Sequence, residues 1–179
     1  MKLYNKTKLP DAVLERLLIA AGRAVGARTT NVVVKVTQGR HRGCSGMASH
    51  ASYVNTWHLH RVRKWKSERV STDGGWFRIT IPQFSQGWDA LALAQQFFEV
   101  AMHEWKHIAD YQAGRWTMAW SHASSGGRRP IHDRRPEELR AINAVDDAVA
   151  KGVIQKHQDL IIALAVEHEN HAVLNSGRG

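Results

Sequence analysis

The sequence predicts one α+β domain over residues 1–179, and three observations carry that expectation. An amphipathic helix opens the chain, short β-branched segments fill its middle, and helical periodicity dominates from residue 89 onward. At 179 residues the chain can bury one sizeable core, and neither a linker nor an internal repeat divides it. With 43% hydrophobic and 23% charged residues it matches neither disordered nor collagen-like composition.

The elements follow in order. Pro10 to Val25 places Leu14, Leu17, Leu18 and Ala21 at helical spacing, with Gly26 as its stop. Thr30 to Thr37 is β-branched and short, which predicts a strand. Gly39 to Ser52 holds three glycines among polar residues and reads as a loop. Tyr53 to Val70 alternates in part, as one strand or a hairpin arm would, and Asp73-Gly74-Gly75 is a turn signal. Trp76 to Pro82 alternates cleanly, with Phe77, Ile79 and Ile81 on one face. Pro82 lacks an N–H, so this strand must end there or run along a sheet edge. Asp89 to Ala113 reads as a long helix, capped by Asp89 and stopped by Gly114. Thr117 to Arg135 is irregular, rich in Ser, Gly and Arg. Pro136 to Lys151 is a helix opened by Pro and two acids and closed by Gly152. A last helix is expected over Gln155 to Leu174, ahead of a frayed tail.

Several classes are disfavoured at once. The longest clean apolar run near the C-terminus, Leu160 to Val166, falls far short of a bilayer span, so no membrane partner is expected. No apolar segment follows the basic Met1 to Lys8, as a signal peptide would need. Cys44 is the single cysteine, so no internal disulfide and no Cys-based zinc ribbon can form. Both features suit a reducing cytoplasm. The net charge is +9. Lys35, Arg40, Arg42, Arg61, Arg63, Lys64, Lys66 and Arg69 stand against Glu68 alone, a local excess of +7 that favours a polyanion such as nucleic acid or an acidic protein surface.

The chemistry concentrates in the long helix. His103-Glu104-Trp105-Lys106-His107 is an HExxH motif, expected by chance about 0.03 times in a chain of this composition. Residues i and i+4 share a helix face, so both imidazoles can bind one metal ion. Glu104 lies about 100° around the helix, beside the ion and placed to take a proton from metal-bound water. Zinc in such a site acidifies water and polarises a scissile carbonyl. Gln96, Glu99, His103, His107 and Asp110 also form a polar stripe along an otherwise apolar helix, which either faces solvent or lines a cleft.

A zinc site needs a third protein ligand. A metzincin pattern fails, because positions 110 and 113 are Asp110 and Ala113. Asp110 is a candidate, though better placed to orient an imidazole. His122 and His132 in the irregular segment are others, as is a glutamate of Arg135-Pro136-Glu137-Glu138-Leu139-Arg140-Ala141 on the next helix.

Together, the HExxHxxD stretch from His103 to Asp110 and the later Arg-Pro-Glu-Glu-Leu-Arg-Ala segment resemble the small gluzincin-type metallopeptidases of bacterial and mobile-element genomes. The resemblance covers residues 76–147. It implies a zincin-like fold, one catalytic zinc, His103 and His107 as ligands, Glu104 as general base and acid, and a peptide or protein substrate. Aligning the family's E-x-x-A on Ala141 implies Glu138 as third ligand, with Glu137 the competitor by a one-residue slip. It also implies that the edge strand before the metal helix, here Trp76 to Ile81, binds extended substrate. Position 142 is Ile, where thermolysin-like gluzincins carry Asp. A SprT-like protease acting on DNA-bound proteins shares HExxH but takes a histidine as third ligand. An inert zincin-fold protein that binds nucleic acid is a further alternative.

The other candidates are weaker. His58 and His60 could put two imidazoles on one strand face, but no carboxylate or cysteine lies nearby, and a solvated face is the plainer reading. His168 and His171 have the wrong spacing for a second HExxH and sit near a helix end. Cys44 needs a partner base that sequence cannot locate. Tyr53, Trp57 and Trp65 interleave the basic stretch, as in single-strand nucleic-acid binders, or form core and cleft walls.

Overall fold

The computed structural model describes residues 1–39, 43–49, 53–60, 68–72, 74–82, 89–115 and 135–176, with residues 53, 57 and 171–176 described by backbone alone. The elements run β1 (Lys2–Lys6), α1 (Asp11–Ala24), β2 (Val33–Gly39), β3 (Ser45–Ser49), β4 (Tyr53–Asn55), α2 (Thr56–Leu59), β5 (Arg69–Ser71), β6 (Trp76–Pro82), α3 (Ala90–Gln112), α4 (Pro136–Ala150), α5 (Val153–Lys156) and α6 (Gln158–Ser176). The chain is therefore mixed α+β, and among the described residues no helix is long and apolar enough to cross a membrane.

Four strands make one sheet in the order β1-β2-β6-β3. The first three are parallel and β3 runs antiparallel to β6. Strand alternation divides the apolar residues between two faces. Val34, Val36, Phe77, Ile79 and Ile81 pack on one side against Leu14, Leu17, Leu18 and Ala21 of α1 and Phe97, Phe98, Ala101, Met102, Trp105 and Ile108 of α3. Val33, Trp76 and Tyr4 point the other way and meet Val54 and Leu59 in a smaller cluster, beneath the separate β4–β5 ribbon.

Helix α3 runs through the centre of this packing, touching α1, α4, α6, β3 and β6. Asp89 caps it, its carboxylate accepting from Leu91 N at 2.9 Å and Ala92 N at 3.0 Å. Gly114 stops it in the left-handed region at φ +69°, where a side chain would be strained. Trp105 is fully buried, edge-on to Phe77 with centroids 4.9 Å apart. It fits because α1 carries Gly22 opposite, where an added Cβ would lie 3.0 Å from the indole.

Several expectations are corrected here. Ser45–Ser49, read as loop, is strand β3. Its small residues have little intrinsic strand preference, but the ladder with β6 supplies what propensity lacks. That pairing makes β6 an interior strand, so Trp76 to Ile81 is not an edge; among the described residues the edge strands are β1 and β3. Residues 2–6 add an edge strand where no element was expected. Of the two readings of Tyr53 to Val70, one strand or a hairpin arm, the second is the nearer: β4 and β5 pair antiparallel, with the turn of helix α2 between them and 61–67 outside the described residues. The last helix breaks at His157 into α5 and α6.

Candidate metal centre

Burial along α3 changes from one end of its polar stripe to the other. Gln96 is exposed, Glu99 and His103 are half-buried, and His107 and Asp110 are buried. The cause is α4, which crosses the C-terminal half of the stripe and converts a surface into a cleft. Pro136 pre-sets the first turn of α4, and Glu138 in that turn is buried against α3.

Three side chains converge there. His103 Nε2 lies 3.1 Å from Glu138 Oε2, His107 Nε2 lies 3.4 Å from the same oxygen, and the two Nε2 atoms are 3.1 Å apart. The imidazoles stand edge to face, 82° between planes. Among the described residues this is the one group of His, Cys, Asp or Glu with metal-binding spacing, its ligand atoms all within 4.8 Å of one another. A tetrahedral ion bound at about 2.0–2.1 Å separates neighbouring donors by roughly 3.3 Å. The observed separations match that edge length, so these residues fit a metal ion. Glu137, one position away, is not part of the group. His122 and His132 lie outside the described residues.

Glu104, next to His103 on α3, is buried, and among the described residues its Oε2 has no hydrogen-bond partner. Burial pushes its carboxyl up to about 8; His103 opposes the shift and Glu138 adds to it. The backbone of β3 makes the space. A Cβ at Gly46 would lie 2.3 Å from Glu104 Oε1, so only glycine lets the strand pass this close. Gln96 holds the strand in place from α3, accepting from Cys44 N at 2.9 Å.

Asp110 does not orient an imidazole. Its carboxylate bonds Lys106 Nζ at 2.5 Å and Arg140 Nε at 2.7 Å. Burial alone would raise this carboxyl, but the two hydrogen bonds and the two positive charges outweigh it and hold it below the ordinary range. Sequence pairing by helix spacing missed Arg140, two residues beyond Glu138 on α4. Asp110 thus ties α4 to α3 next to Glu138, the member of the group that α4 supplies.

Among the described residues the other candidates form no such group. His58 lies in α2 and His60 just after it, not on one strand face, and His60 packs against Tyr4 with Lys6 Nζ 3.1 Å away. Burial pushes the Cys44 thiol up to about 12, so it is protonated at neutral pH. His168 is buried in α6, and the side chain of His171 is outside the description. Of the eight cations in the basic stretch, only Lys35 and Arg69 are described; Arg40, Arg42, Arg61, Arg63, Lys64 and Lys66 are not. Lys35 donates to the His58 carbonyl and shares the outer sheet face with Arg78.

A cavity of about 380 Å³ opens beside the centre, between α3, α4 and β3, lined by Gly46, Glu99, Val100, His103, Glu104, Ile142, Val145 and Asp146. No family model matches this chain, and no curated protein or solved structure matches it either.

Proposed function

We propose that this chain is a zinc-dependent peptidase with a zincin-like fold. One observation carries the reading: the donor atoms of His103, His107 and Glu138 meet at tetrahedral spacing, with the buried Glu104 carboxylate beside them. Two imidazoles and one carboxylate are a donor set that suits zinc and leaves a fourth position open. A zinc ion held there supplies Lewis acidity, polarising a carbonyl and acidifying water.

The remaining work falls to the chain's own side chains. His103 and His107 present neutral Nε2 atoms, and Glu138 adds one negative charge to the donor set. Glu104 takes the proton of the attacking water on its unpartnered Oε2 and returns it to the leaving nitrogen. Its enclosure by β3 and α3 keeps bulk water from competing for that proton. The substrate backbone has a place as well. Among the described residues the strand ladder of β3 runs with β6 alone, and its other side is the place where an extended peptide would add. This is the role that the family resemblance assigns to an edge strand, moved from β6 to β3.

Zinc-loaded protein is expected to hydrolyse a mixed peptide library, to stop when chelated and to resume when zinc is restored. Glu104→Gln is expected to keep the metal and lose roughly 10²–10⁴-fold in kcat. Full turnover in that variant contradicts the mechanism.

A further inference from the structure

The cavity beside the centre has a composition that the hydrolytic step does not explain. On α3, Glu99 and Val100 precede His103 and Glu104 by four residues each, so they sit about 6 Å along the same helix face. On α4, Ile142 and Asp146 follow Glu138 by one and two helical steps of four, about 6 and 12 Å along, with Val145 beside them. The walls are therefore apolar (Val100, Ile142, Val145), and carboxylates stand on both helices. Glu99 accepts one hydrogen bond, from Gln95 at 2.9 Å, and among the described residues neither Glu99 nor Asp146 pairs with a cation. In a chain of net charge +9 that is a local reversal of sign. The cavity also reaches the candidate metal centre, since His103 and Glu104, whose buried Oε2 has no hydrogen-bond partner among the described residues, are part of its lining.

A long cationic side chain matches such a pocket. Its methylene stem buries against the apolar walls while its charged head stays near carboxylates and water. We propose that this pocket receives a lysine or arginine side chain of the substrate, with Glu99 and Asp146 as the residues that select it. The substrate role rests on the peptidase reading; the cation selectivity rests on the pocket alone.

Two measurements separate the two. In the first, n-butylguanidinium, n-butylammonium and neutral 1-pentanol are titrated into the full chain, metal-free and zinc-loaded, while methyl NMR shifts of Val100, Ile142 and Val145 are followed. The cations are expected to bind roughly fivefold or more tightly than the alcohol. The Glu99→Gln/Asp146→Asn double variant is expected to bind all three alike; unchanged 1-pentanol shifts show that its pocket is folded. In the second, a peptide library is cleaved by the zinc-loaded wild type, and Lys or Arg is expected to be enriched at one position next to the cut. Cleavage without that enrichment, or equal binding of cations and alcohol by the wild type, overturns the proposal and leaves the peptidase reading standing. Cation-selective shifts with no cleavage of any peptide support the pocket and overturn the peptidase reading. Selectivity that survives in the double variant overturns the assignment to Glu99 and Asp146.

Discussion

Two buried carboxylates on α3, six residues apart, are kept in opposite states. Asp110 meets Lys106 and Arg140 and is held ionised below the ordinary range. Glu104 meets the bare backbone of Gly46, and burial pushes its proton affinity up. At Asp110 the charge is compensated, so that end of the α3–α4 contact is a clamp. At Glu104 one oxygen is left without a partner among the described residues, and burial favours the neutral carboxyl. The same helix and the same burial hold a carboxylate ionised where cations answer its charge, and favour the neutral form where no cation bonds it.

The comparison can be broken at either end. The largest effect is expected at Glu104, where the Gln variant, expected to silence turnover, replaces a buried carboxyl whose neutral form burial already favours. Its metal-free form should therefore melt at or above the wild-type temperature in a thermal scan; a marked loss of stability would make Glu104 structural. Asp110→Asn should do the reverse. It should cost about 2–3 kcal/mol in urea unfolding, less than a fully enclosed pair because the Arg140 side chain is 40% exposed. It should also weaken metal binding, since α4 carries Glu138. Gly46→Ala forces β3 away from Glu104 and should cost about 1–3 kcal/mol together with most of the turnover. Equal activity in that variant would mean that strand and carboxylate do not touch.

The pH dependence sharpens the same contrast. A carboxyl with a depressed folded pKa stabilises the fold fully above the unfolded value, about pH 4, and loses that contribution as pH falls through the lower folded value. Wild-type stability should therefore drop on the acid side of about pH 4, and Asp110→Asn should flatten that limb. The smallest effect belongs to a control away from both ends. Asp89→Ala removes two cap hydrogen bonds from α3 and should cost about 1 kcal/mol, leaving metal content unchanged.

What the sequence disclosed follows from the range of the forces involved. The helix stops at Gly26, Gly114 and Gly152 were legible because each is a local backbone demand, and all three glycines have positive φ. The pairing of His103 with His107 was legible because helix geometry fixes it over four residues. Glu138 was only one of several candidate ligands, because the angle at which α4 crosses α3 depends on packing that no local pattern records. β3 was missed for a related reason. Residues 45–49 are Ser, Gly, Met, Ala and Ser, with Gly46 passing close to Glu104, and small residues in that order read as loop. Arg140 escaped because its partner is 30 residues away.

The most direct measurement is the metal content of purified protein by mass spectrometry, with Glu138→Ala beside the wild type. About one zinc per wild-type chain, lost or strongly weakened in the variant, is the result that a His103–His107–Glu138 centre requires. Zinc held equally well without Glu138, or no zinc in either protein, would contradict it.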